Sequence, residues 1–375
     1  MPTKRGWLVV GAGAVLLLAA VLSGYRELAV LGAVALITVL ASTLLVGRPG
    51  RAEAQRSIPT PRIAPGGEVR VRTSVRNTGR RSLRLAELVA DAEGEQLVAL
   101  PAVAAGASAE TGYQVGAARR GVIELGPLRA GRSDPLGLAA SQRGHGRTDR
   151  IWVHPRWEHL RAVPVGRVAD PDGDLDGARA GTLTFHALRE YVPGDDLRHI
   201  HWRSSARQDK LIVREYIDTS HTRLAVLVDD RPTPGGRARL DDVAEAAACV
   251  LATGVRSSLH CEAHLVSGRG RDSGAGLPAL LDLLSEAEPA EDADLARAVR
   301  LMRTRPSGDT AVLIGGGLTN ADLRLFAQLR SCYAGLVAVA MGDGPPPAAP
   351  AGVGLVTAAD ATSFVDRWNE APWSR

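Results

Sequence analysis

Lysine is almost absent from this 375-residue chain; Lys4 and Lys210 are the only two. The net charge of +4 is carried by arginine, spread thinly along the sequence. A nucleic-acid footprint needs clustered basic residues with aromatics placed for stacking, and aromatics make up only 4% of the chain. That scarcity argues against a nucleic-acid partner and leaves Ala, Val and Leu to build the cores. Cysteine is also rare: Cys249, Cys261 and Cys332 lie scattered in the C-terminal third without metal-ligand spacing. An odd, scattered set excludes a disulfide framework and suits a reducing compartment. Nucleophile motifs are missing too, with no G-x-S-x-G elbow and no S-x-x-K.

What the chain does have is apolar sequence at its start. Residues 7–24 (WLVVGAGAVLLLAAVLSG) and 28–46 (LAVLGAVALITVLASTLLV) are both uncharged, and a membrane-spanning helix needs about 20 such residues. Only "YRE" separates them, which predicts a tight helical hairpin over residues 1–47. A signal peptide fits less well, because no small-residue cleavage site follows. Lys4 and Arg5 flank one end, and Arg48, Arg51 and Arg56 follow the other. By the positive-inside rule both ends, and the body after them, face the cytoplasm of a two-span cell-membrane protein. The "GAG" at Gly11–Gly13 reads as a helix-packing face within the membrane.

Residues 48–160 read as short strands between turns. "EVRVRTSVRN" (residues 68–77) alternates Val with Arg, the period of a half-solvated strand. "LRLAELVAD", "AETGYQVGA", "GVIELGPLRAGRSD" and "RIWVHP" add more, so an antiparallel β-sandwich-like module of about seven strands is expected. Residues 161–219 then form an acidic linker and a dense polar segment. Asp172, Asp174, Asp176 and Gly177 match the first half of an EF-hand loop, but its twelfth position is Leu183 instead of Glu. A solvated linker is the better reading.

Residues 220–375 alternate strands with helices, from "RLAVLVDD" through "TAVLIGG" to "DATSFVDRWNEA". This order predicts a doubly wound α/β domain. Asp241 suits the N-cap of the first helix, with Val243, Ala247, Val250 and Leu251 on its buried face. The strand ending in Asp229 and Asp230 makes the domain resemble a von Willebrand factor A domain. That resemblance implies a divalent ion held by D-x-S-x-S, but here Arg231 stands at the first serine position and Thr233 at the second. The three positions Asp229, Arg231 and Thr233 therefore read as a degenerate metal site, with no metal and no cofactor expected. Gly315–Gly317, at another strand end, reads as a tight turn.

The densest polar stretch is "LREYVPGDDLRHIHWRSSAR" (residues 188–207). Pro193-Gly194 signals a turn, and Asp195 or Asp196 suits the N-cap of a short helix before the strand "KLIVREYID". His199 and His201, two apart on a helix, point to different faces and cannot share a metal. Arg189, Arg198, Arg203 and Arg207 face Glu190, Asp195, Asp196 and Asp209. We therefore expect a salt-bridged polar joint, with Tyr191 and Trp202 anchoring it by packing, and a docking surface as second reading.

This stretch, with "LIVREY" after it and "RRGVIELGPLRAGRSDPLGL" (residues 119–138) before it, resembles the domain of unknown function 58 family. One departure is His201, where that family has Asp before the Trp. The resemblance implies a membrane-bound partner of a MoxR-type AAA+ ATPase; the cytoplasmic topology, the metal-free A-like domain and the missing nucleophile constellation make a non-catalytic adaptor the expected role. Its candidate joint or docking residues are Arg189, Glu190, Tyr191, Gly194, Asp195, Asp196, Arg198, Trp202 and Arg207. The alternative is a hydrolase or metal-dependent enzyme built on Asp195, Asp196, His199 and His201.

Overall fold

The computed structural model divides into two compact units, Met1–His154 and Pro155–Arg375. It describes residues 2–47, 52–91, 94–164, 183–190, 202, 205, 210–218, 223–304 and 308–374. The acidic EF-hand-like loop, Asp172–Gly177, lies outside them.

The first unit opens with α1 (Lys4–Ser23) and α2 (Arg26–Val46), each long and apolar enough to cross a membrane. Gly24 caps α1 in the left-handed region, φ 77°, so the chain reverses within two residues. The helices meet through small residues. A Cβ added to Gly32 would stand 2.8 Å from the Gly13 carbonyl oxygen, so this crossing requires glycine. Gly11 meets nothing within 4 Å, so the packing face belongs to Gly13 and not to the whole "GAG". Leu8, Val15, Leu18, Ile37 and Leu44 are exposed on the outside of the pair.

The strands after the hairpin form two sheets. One contains β1 (Ala52–Ser57), β3 (Glu68–Asn77) and β6 (Ser108–Gly116) in the order β1-β3-β6, all antiparallel. The other adds β2 (Arg62–Ile63), β4 (Leu83–Asp91), β5 (Gly94–Val103), β7 (Gly121–Ser133), β8 (Ala140–His145) and β9 (Asp149–Val153). Its order is β2-β9-β7-β4-β5, with β8 on β7, and the β2–β9 pair is parallel. Valines of β3 are buried and its arginines exposed, as the alternation requires. Val69, Val71 and Val115 from one sheet pack on Ile123, Leu125, Ile151 and Val153 from the other.

In the second unit, β10 (Leu183–Glu190) and β11 (Ile212–Asp218) pair antiparallel. The main sheet holds β12 (Arg223–Val228), β13 (His260–Leu265), β14 (Gly270–Asp272), β15 (Gly308–Gly315), β16 (Tyr333–Met341) and β17 (Gly354–Ala358). Its order is β14-β13-β12-β15-β16-β17, parallel except for β14. On one face Val226 and Val228 pack with α3 (Gly236–Arg256), α4 (Leu277–Ser285) and α7 (Ala361–Glu370). On the other, Ala225 and Leu227 pack with α5 (Leu295–Arg303) and α6 (Asn320–Phe326).

Two expectations change. Asp241 is not an N-cap: α3 starts five residues earlier, after Gly235, because Arg237–Leu240 continue the helix and bury Leu240. Val243, Ala247, Val250 and Leu251 do face the core. Residues 155–160, read as the end of the β module, instead pack with the second unit. Leu160 is buried there and its N–H donates to Thr253 Oγ1 at 2.9 Å. Further along, Trp368 Nε1 donates to the Ala162 carbonyl at 2.8 Å.

Candidate functional site

Open α/β sheets bind ligands beyond the carboxyl ends of their strands, where the strand order reverses. Here β12 leads through α3 to β13 on one side, while β15 sits on its other side. The crevice therefore lies between Asp229-Asp230, leaving β12, and Gly315–Gly317, leaving β15.

Arg231 fills it. Its Nε and Nη2 donate to Oδ1 and Oδ2 of Asp229 at 2.9 and 2.8 Å, and its Nη1 donates to Asp322 Oδ1 at 3.0 Å. Asp322 comes from the first turn of α6, where it closes a capping box with Thr319. The Thr319 N–H and hydroxyl donate to Asp322 Oδ2 at 2.8 and 2.7 Å. Burial works to raise the pKa of Asp322, but the hydrogen bonds from Arg231 and Thr319 outweigh it and hold the carboxyl below its ordinary range. Hydrogen bonding to Asp229 raises the pKa of Arg231, against the opposing effect of burial. A Cβ on Gly315 would stand 2.8 Å from Asp229 Cβ, so the close approach of the two strand ends requires glycine.

A divalent cation needs hard oxygens free to converge on it. Here the two carboxylates converge on a guanidinium whose fork matches them. Asp229 and Arg231 of the degenerate triad are thus bonded to each other, while Thr233 contributes its carbonyl to the Gly236 N–H at 2.8 Å. Asp230 belongs elsewhere: it is fully buried, and its Oδ1 accepts the Ser267 N–H at 2.9 Å. Burial raises its pKa against that hydrogen bond. A second arginine, Arg239 from α3, lays its aliphatic stem over Gly316 and its guanidinium near Gly342, and donates to the Ala359 carbonyl. Sequence reasoning missed Asp322 and Arg239. The Thr319-x-x-Asp322 spacing was a readable signal for the first, and nothing local marked the second.

Of the signature segment, Arg189 and Glu190 end β10, paired with Val213 and Ile212 of β11. Tyr191, Gly194, Asp195, Asp196, Arg198, His199, His201, Arg203, Arg207 and Asp209 lie outside the described residues, and with them the expected salt-bridged lattice. Trp202 and Ser205, within the stretch read as a short helix, are helical, while the Pro193-Gly194 turn lies outside the described residues. Trp202 is 67% exposed, so its indole is presented to the surroundings and not packed as an anchor. Ser205 is buried and its hydroxyl accepts the Ile212 N–H at 2.9 Å, a structural use of this serine.

The β module holds a further polar cluster. Arg56, counted in the sequence as a membrane-flanking charge, is instead buried between the sheets and pairs with Glu87 and Asp149. Glu87 is fully buried and also accepts Thr73 Oγ1 at 3.2 Å. Beside it, burial pushes the Tyr113 phenol up to about 12, with Arg56 opposing.

Residues 187–368 match the family described as "Protein of unknown function DUF58", which supports the resemblance drawn from the signature. No curated protein matches the chain. Among solved structures it is similar to the β-glucosidase EmGH1 of Erythrobacter marinus at 16% identity and TM-score 0.20, over 28% of this chain and 15% of that one. It is similar to the alkylpurine DNA glycosylase AlkC of Pseudomonas fluorescens at 10% identity and TM-score 0.21, over 36% of this chain and 41% of that one. The CARDB domain of the PF1109 protein of Pyrococcus furiosus matches at 6% identity and TM-score 0.20, over 28% of this chain and 87% of that one. The chain thus spans about 15% of the first glucosidase's length, and similarity this slight carries no functional argument.

Proposed function

We propose that this chain is a membrane-anchored adaptor of the domain of unknown function 58 family, with a von Willebrand factor A-like C-terminal unit. Its two helices span the cell membrane with both ends cytoplasmic, and its soluble units dock a MoxR-type AAA+ ATPase. The observation that carries the non-catalytic reading is Arg231, whose guanidinium occupies the strand-end crevice and satisfies Asp229 and Asp322 internally. A crevice already neutralised by its own side chain supports a fold kept for contact over one kept for ion chemistry. Trp202 supplies a contact point: exposed tryptophans with rotamer-poor rings are strong interface anchors.

Crosslinking mass spectrometry on native membranes tests this. We expect an AAA+ ATPase crosslinked to the second unit, and weaker recovery with Trp202→Ala while the protein level stays unchanged, because little packing is lost at an exposed site. Crosslinked membranes that yield no ATPase would overturn the proposal.

A further inference from the structure

We infer that the turn between β7 and β8, Asp134–Ala139, is immersed in the surface of the bilayer, and that its apolar tip and the basic residues around it bind anionic phospholipid headgroups. The inference rests on the reading of α1 and α2 as membrane spans.

The turn is fastened to the ends of both helices. The Thr3 N–H donates to the Leu138 carbonyl at 2.9 Å, and Thr3 Oγ1 donates to the Gly137 carbonyl at 2.7 Å. Pro2 forms a β-bridge with Ala139. The contact continues down the helices. Gly6, one turn into α1, is buried because a Cβ there would overlap the Leu138 carbonyl oxygen. On α2, Ser42 is buried and its hydroxyl lies near the Asp134 carboxylate. Ser42 precedes Val46, the last residue of α2, by four residues, or about 6 Å of helix at about 1.5 Å per residue. The turn therefore lies level with the first helical turn, at the headgroup–acyl boundary, where a water-soluble partner cannot reach.

Its chemistry suits that depth. Pro135 and Leu136 point outward, and Leu136 is 61% exposed. Trp7, 64% exposed on the second turn of α1, is the kind of aromatic that marks membrane interfaces. The carboxylate of Asp134 is satisfied within the turn: it accepts the Ala139 N–H at 2.6 Å and the Leu136 N–H at 3.0 Å. Lys4 and Arg5, which follow Thr3, and Arg81 and Arg84 are exposed. Arg81 donates to the Leu45 carbonyl at the end of α2, and Arg84 to Ser133 Oγ at 3.1 Å, next to Asp134. An apolar tip ringed by cations matches a negatively charged leaflet.

The test uses the full-length protein in phosphatidylcholine vesicles with and without phosphatidylglycerol, in a Cys332→Ser background, since Cys249 and Cys261 are buried. An environment-sensitive fluorophore is placed at Leu136→Cys, at Val15→Cys within α1, and at Glu68→Cys at the far end of β3. We expect shallow spin-labelled lipid to quench the Leu136 label, more so with phosphatidylglycerol, deep spin labels to quench the Val15 label, and neither to quench the Glu68 label. Quenching at Val15 with Leu136 as unquenched as Glu68 would overturn this inference alone. Quenching at Leu136 that ignores phosphatidylglycerol would overturn its anionic-lipid part. An unquenched Val15 would overturn the membrane reading, and this inference with it.

Discussion

Replacing Arg231 by Met removes the guanidinium while keeping the length of the side chain. Asp229, 3% exposed, and Asp322, 7% exposed, would then face each other without a cation. Removing one partner of a buried ion pair costs about 3–5 kcal/mol, because the remaining charge is left uncompensated. At about 1.4 kcal/mol per factor of ten, amide protection in the surrounding elements should fall by roughly two to three and a half powers of ten. Hydrogen-exchange mass spectrometry of the full chain in lipid nanodiscs reads this directly, over residues 223–230 and 310–326. The pH dependence sharpens the test. In the parent protein the carboxyl of Asp322 is held below its ordinary range, so its contribution is present above the unfolded value of about 3.9 and is lost as pH falls through the folded value. In Arg231→Met the sign reverses: burial without a cation raises the folded pKa, the folded state binds more protons, and stability rises as the medium is acidified. The gap between the two proteins should therefore narrow toward acid pH. Unchanged protection at neutral pH, or a gap indifferent to pH, would refute the view that Arg231 is an internal counterion. Arg231→Lys should fall between, since it keeps the charge but loses the fork.

Two other substitutions probe the first unit. Glu87→Gln leaves Arg56 paired with Asp149, and we expect a loss of about 1.5–3 kcal/mol, as for a hydrogen bond to a charged group, read as faster exchange in β3 and β4. Gly32→Val would push a side chain against the backbone of Gly13, so a disulfide engineered across the α1–α2 crossing should no longer form, while one near the Gly24 turn should persist.

Much of the architecture was legible because it rests on local periodicity. The Val/Arg alternation of β3 and the apolar run of β12 mark strands that the structure places at residues 68–77 and 223–228. Strands without such a pattern were missed. β1 and β8 carry small and polar residues that gain their pairing only from neighbours distant in sequence. The same limit applied to the candidate site. Arg231 stood out as the wrong residue for a metal, but its partner Asp322 lies far along the chain, and the two meet only because β12 and β15 are adjacent in the sheet.

The sequence alone determined the helical hairpin, the switch from period-two to helical patterning, and the presence of a guanidinium two residues after the aspartate that ends β12, since each is written in residue types a few positions apart. Only the tertiary structure decided what those residues face. It turned Arg56 from a membrane-flanking charge into a buried counterion, gave residues 155–164 to the α/β unit, and brought an apolar turn of the β module to the ends of α1 and α2. These outcomes depend on strand order and on which backbone groups find partners across long loops, and no local pattern encodes them.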